Sequence, residues 1–147
     1  MYSARSGNVI AVRLEVEEDV HASILEICRQ HKVRGGYIGS CIGMLENPEL
    51  GYYIDKGRYG SKHFTGRFEC LAINGNVSEK FGELMAHLHA ICADEEFNVV
   101  GGHLIGSKVG VTLELCITVV DEPVRMYREL ETHTGLPGLL IEGEPAP

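Results

Sequence analysis

Apolar and polar residues alternate along Val9-Ile10-Ala11-Val12-Arg13-Leu14-Glu15-Val16, and this period of two predicts a half-buried strand over Asn8 to Val16. Residues 1–7 before it read as an N-terminal arm. The period then changes. Glu17-Glu18-Asp19 are acidic residues suited to a helix start, Val20, Ile24, Ile27 and Cys28 recur at helical spacing, and Gly35-Gly36 close the segment after a basic last turn. Gly36 to Leu45 is an apolar run punctuated by Gly39 and Gly43, which predicts a buried strand with a bulge or bend. Asn47-Pro48 reads as a turn and Leu50 to Ile54 as a partner strand. The polar stretch Asp55 to Lys62, with Gly57 and Gly60, reads as a mobile loop. Gly66 to Val77 gives another strand, Val109 to Val120 a long one, and Val124 to His133 has the spacing of a short helix ending at Gly135.

The segment between these strands carries the candidate chemistry. Ala86 to Ala93 is apolar apart from His87 and His89, Asp94-Glu95-Glu96-Phe97-Asn98 is polar and turn-prone, and Val99-Val100 resumes a β-branched run. That pattern predicts a hairpin. Strand side chains alternate, so His87 and His89 project from one face, and a turn centred near Glu96 sets His103 across from His89 on that face. Three imidazoles in that arrangement suit zinc, or another divalent transition metal, and leave a coordination position for water or a ligand. Cys92 has the opposite parity to His87 and points away. The alternative is a solvated histidine face with no ion. Gly101 and Gly102 mark a bulge or a close backbone approach.

Together these elements predict one α+β domain over 8–135, a strongly bent, largely antiparallel, barrel-like sheet flanked by a helix. Residues 136–147 form a C-terminal tail whose end, Gly143 to Pro147, is expected to be disordered.

Composition limits the function classes. A chain of 147 residues with 44% hydrophobic content builds one sizeable core. Thirteen basic against twenty-one acidic residues give a formal charge of −8, which repels nucleic-acid backbones and anionic membranes. Arg29, His31, Lys32 and Arg34 cluster at the expected end of the helix, where they complement its dipole. Five cysteines with no CxxC pair read as buried, reduced thiols of a cytoplasmic protein. The sequence shows no signal peptide and no apolar run long enough to span a bilayer.

The stretches SCIGML (Ser40 to Leu45), GRFECL (Gly66 to Leu71), HLHA (His87 to Ala90) and VVGGHL (Val99 to Leu104) occur in this order, and with them the chain resembles the PPC domain, the plant and prokaryote conserved domain, over about residues 8 to 120. The resemblance implies a bent antiparallel sheet flanked by a helix, a homotrimer, and, as in some prokaryotic members, zinc on His87, His89 and His103. Plant members carry an Arg-Gly-Arg-Pro AT-hook that enters the minor groove. This chain has none, which with its acidic charge argues against the DNA-binding label often given to the prokaryotic relatives. A more distant fold resemblance is to acetolactate decarboxylase, a zinc lyase with a His-x-His strand pair and a later histidine. Chemistry of that kind needs an anion holder and a proton carrier. Arg67, Glu69 and Glu114 are the charged strand residues available: Arg67 could hold a small anionic ligand and Glu69, on the same face, could act as acid or base. Alternatively, Arg67 and Glu69 form a cross-strand pair at a subunit boundary. The sequence thus leaves a trimeric metal-binding module with a regulatory or ligand-binding role, a zinc-dependent lyase or hydrolase acting on a small oxo or hydroxy acid, and a DNA-binding protein.

Overall fold

The alternation at the N-terminus produces a sheet edge, in a computed structural model that describes residues 1–144. Val9–Glu15 (β2) buries Ile10, Val12 and Leu14 and exposes the residues between them. Tyr2–Ser6 (β1), expected as an arm, pairs antiparallel with it. The helix Val20–Gln30 (α1) is capped by Asp19, whose carboxylate accepts the Ala22 N–H at 2.8 Å. It buries Val20, Ile24, Ile27 and Cys28 in the core. The helix ends before the expected Gly35-Gly36. Lys32 turns to φ 56° and the Val33 N–H donates to the Cys28 carbonyl at 2.8 Å, so the stop is made by backbone geometry one turn earlier.

Gly36–Asp55 (β3) is one bent strand, where two strands and a turn were expected. Asn47 sits at φ 51° with its N–H on the Gly66 carbonyl at 2.8 Å, so the turn-prone Asn47-Pro48 pair is absorbed as an irregularity within the strand. Arg58–His63 (β4) replaces the expected loop; it pairs back on β3, with Gly57 at φ 75° in the tight turn. Its side chains are mostly exposed, which is why a polar strand reads as a loop.

Arg67–Lys80 (β5), Glu83–Ala93 (β6) and Val99–Val119 (β7) complete the centre of the fold. A ring of hydrogen-bonded pairings runs β3–β5–β6–β7 and back to β3, although the nine-stranded sheet as a whole is not a closed barrel. Arg125–Leu130 (β8) is a strand where a helix was expected over Val124 to His133. Met126 and Arg128 are buried while their neighbours are more exposed, and pairing with β5 in parallel and with Pro137–Glu142 (β9) overrides the local helical spacing. Part of the expected C-terminal tail is therefore sheet, and Pro145 to Pro147 of the expected disordered end lie outside the described residues.

Among the described residues all five cysteines are free, four of them buried, and no helix is long and apolar enough to cross a membrane.

Candidate metal centre

The β6–β7 turn sets the register. Asp94 Oδ1 accepts the N–H groups of Glu96 and Asn98, each at 2.9 Å, and Phe97 takes φ 65°. From that turn the strands run back so that His89 lies directly opposite His103. His87, two residues along β6 from His89, shares its face and stands opposite Asn76 of β5. Glycine makes the approach of β5 to this point feasible. A Cβ on Gly75 would lie 2.0 Å from the His87 carbonyl oxygen, and one on Gly102 would lie 2.8 Å from the Gly51 carbonyl oxygen.

The sequence-derived trio meets in space. The His87 ring lies 5.1 Å from that of His89 and 5.0 Å from that of His103, with 5.4 Å between the last two. One nitrogen from each lies within 4.8 Å of the other two. A tetrahedral ion with bonds of about 2.0–2.1 Å spaces its nitrogens about 3.4 Å apart, a gap that small ring rotations close. The cluster contains no cysteine or carboxylate.

Its electrostatics favour neutral ligands. Partial burial, then the charge of Arg128 and the other two histidines, lowers the His87 pKa from 6.5 to about 4. Burial, followed by His89, His21 and Arg128, also lowers that of His103. Unprotonated imidazole is the form that ligates metal. The three nitrogens thus fit a divalent transition ion.

Sequence reasoning missed Arg128, hidden by the helical reading of its segment; the Met126/Arg128 alternation was the available signal. The side chain is buried, at 7% exposure, and reaches the site from β8. Its Nε donates to Ser78 Oγ at 3.1 Å, one terminal nitrogen to the Pro137 carbonyl at 2.7 Å, and the other to Asn76 Oδ1 at 2.8 Å and His87 Nδ1 at 3.2 Å. Arginine only donates, so the last contact uses the Nδ1 lone pair of His87. A neutral imidazole that ligates through Nδ1 spends that lone pair, and one that ligates through Nε2 carries its proton on Nδ1. In either case a bound ion would release the Arg128 N–H.

A cavity of about 750 Å³ opens over these groups, lined by the three histidines and Arg128 together with apolar and tyrosine side chains. Tyr59 meets His103 edge-on at 6.0 Å, and its ring occupies space that any Cβ on Gly51 would take, 2.4 Å away. The other candidates from sequence lie elsewhere. Arg67 stands in register with Glu46 and lines a separate cavity with Glu69, and Glu114 pairs with Arg13 at the β2–β7 boundary.

The comparisons with known proteins agree with this architecture. A solved structure from Pyrococcus horikoshii, described as a plant- and prokaryote-conserved (PPC) protein, is 27% identical with a TM-score of 0.79, over 95% of this chain and 94% of that one. A protein of Archaeoglobus fulgidus described as metal-containing is 26% identical with a TM-score of 0.81, over 92% and 95%. A Bacteroides thetaiotaomicron protein with a provisional DNA-binding label reaches a TM-score of 0.86 over 94% and 95%, but at 21% identity the likeness is one of fold. Among curated proteins, the bifunctional protein GlmU of a Synechococcus strain is 28% identical over 145 residues. The match takes in 95% of this chain but 22% of that protein, so the chain spans about a fifth of the curated relative's length. The family profile of the Plants and Prokaryotes Conserved (PCC) domain matches residues 1–121, and the chain belongs to that family.

Proposed function

We propose that the protein is a metal-dependent small-molecule-binding member of its family, in which His87, His89 and His103 hold one divalent transition-metal ion, zinc foremost. The observation that carries this reading is the convergence of three imidazoles on one cavity wall, with no cysteine or carboxylate in the cluster to close the shell. The metal-containing description of the Archaeoglobus relative supports it. Bound zinc would supply Lewis acidity and a polarised water. Elemental analysis of the purified chain tests the reading: about one zinc per chain is expected, and a His87→Ala, His89→Ala double variant that holds as much metal as the parent overturns it.

The assembly that fits this reading is a homotrimer. Each strand of the hydrogen-bonded ring exposes a large apolar side chain, Ile42, Leu71, Ile91 and Val111, at 57, 47, 48 and 55% exposure. Such residues are suited to an interface between copies.

A second reading, a zinc-dependent lyase or hydrolase acting on a small oxo or hydroxy acid, is favoured by Tyr59. Its phenol lines the cavity beside His103 and keeps its proton more tightly than usual because of burial. Turnover of such an acid by the zinc-loaded chain, lost in Tyr59→Phe, would select this reading. The DNA-binding label of the fold relatives is not extended to this chain, whose formal charge is −8.

A further inference from the structure

Most charged side chains here either face water or sit beside an opposite charge. Arg34 and Arg125, with side chains 77% and 61% exposed, share the carboxylate of Glu79. Arg128 is buried and has no such partner. Its four acceptors are a hydroxyl, a peptide carbonyl, a side-chain amide and a neutral imidazole. No ion pair among the described residues includes it. A buried cation without a counter-charge carries a desolvation cost that neutral acceptors offset only in part. Around it the cavity wall holds no aspartate or glutamate, although the chain as a whole is acidic.

We infer that Arg128 is an anion-binding residue and that the cavity takes a small organic monocarboxylate, its head group on the Arg128 guanidinium and its body against the tyrosines. One guanidinium hydrogen is free in the metal-free chain, and a second becomes free with an ion bound. Of the five guanidinium N–H groups four have protein acceptors, and the one on His87 is released when that ring ligates an ion. A two-pronged donor matches the two oxygens of a carboxylate. One buried cation balances one negative charge, and in the metal-free chain the wall holds no second cationic side chain to meet a phosphate dianion. Tyr52, Tyr53, Tyr59, Met85 and Leu136 give the rest of the pocket an apolar and aromatic character that suits an organic body.

This inference deepens the proposed function and rests on it for the choice of cavity, but its test separates the two. Benzoate and inorganic phosphate are titrated into the full chain, zinc-free and zinc-loaded, by calorimetry, while the Arg128 Nε resonance is followed by NMR. Saturable benzoate binding that moves this resonance is expected, with phosphate weaker. Arg128→Gln should lose about tenfold or more in benzoate affinity, and Arg34→Gln should lose none. Absence of saturable benzoate binding in both forms, equal binding by Arg128→Gln, or tighter binding of phosphate by the zinc-free form overturns the inference. If Arg128→Gln does not fold, the parent's Nε resonance decides: no movement with benzoate overturns it. Failure of the metal reading looks different, as absent zinc uptake with benzoate, held by the one free hydrogen, still moving the Arg128 resonance.

Discussion

Replacing Gly75 by alanine offers the sharpest test of how the fold builds the site, because the perturbation is a single methyl group of known position. It would stand 2.0 Å from the His87 carbonyl oxygen and 2.9 Å from Leu88 Cδ2. Cβ atoms essentially never approach closer than 3.0 Å, so β5 and β6 must part by about 1 Å at His87. Metal–nitrogen bonds tolerate about 0.2 Å, so the displacement is several times what the site can absorb. Zinc affinity should fall by about 10- to 100-fold, the range seen when support around a ligand is lost. Overpacking of this kind costs about 1–3 kcal/mol, which for a domain of this size lowers the melting point by about 3–9 °C. Competition with a chromogenic chelator and thermal melts of the metal-free chain measure the two effects. Gly106→Ala is the control, since a Cβ there meets nothing within 4 Å. If Gly75→Ala matches the parent in both measurements, the account of why β5 carries glycine opposite the histidine strand is wrong.

The metal-free protein should lose stability as pH falls from 6.5 toward 4: the unfolded chain takes up a proton on His87 near 6.5, while the folded chain resists it down to about 4. His87→Gln should flatten that part of the melting-point profile, and an unchanged profile would count against the depressed pKa. Light scattering should give a trimer mass at micromolar concentration, and a monomer would refute the proposed assembly. Three copies at −8 carry a formal −24, so no appreciable duplex-DNA binding is expected at physiological salt. Tight binding to A·T-rich duplex in a mobility-shift assay would show that a local patch outweighs this field.

The histidine trio was legible in the sequence because both of its determinants are local. Strand parity aligns His87 with His89, and a short polar turn closed by Asp94 fixes His103 opposite. What could not be read came from distant pairing. Asn47-Pro48 looks like a turn by composition, and only the pairing of β3 with β5 and β7 carries the strand through it. β4 is polar on most positions, so nothing in its pattern marks it as sheet. The segment holding Arg128 has helical spacing of its own, and its strand state depends on β5, some fifty residues earlier, as in the bond from Arg128 to Ser78 with a separation of 50. Arg67, Glu69 and Glu114 were reasonable by residue type, but the sheet places them away from the histidine cavity.

That late arrival of Arg128 has a further meaning. The family match ends at residue 121, and β8 and β9 lie beyond it. The three histidines lie within that span, while the cation that faces them comes from the β8–β9 hairpin, joined to the ring chiefly through a short parallel contact at Glu79 and Lys80. The candidate metal ligands and the buried cation that faces them thus come from different stretches of chain. If the proposed roles are right, grafting a different hairpin after residue 121 should change which small molecule is retained while leaving the metal content as it was.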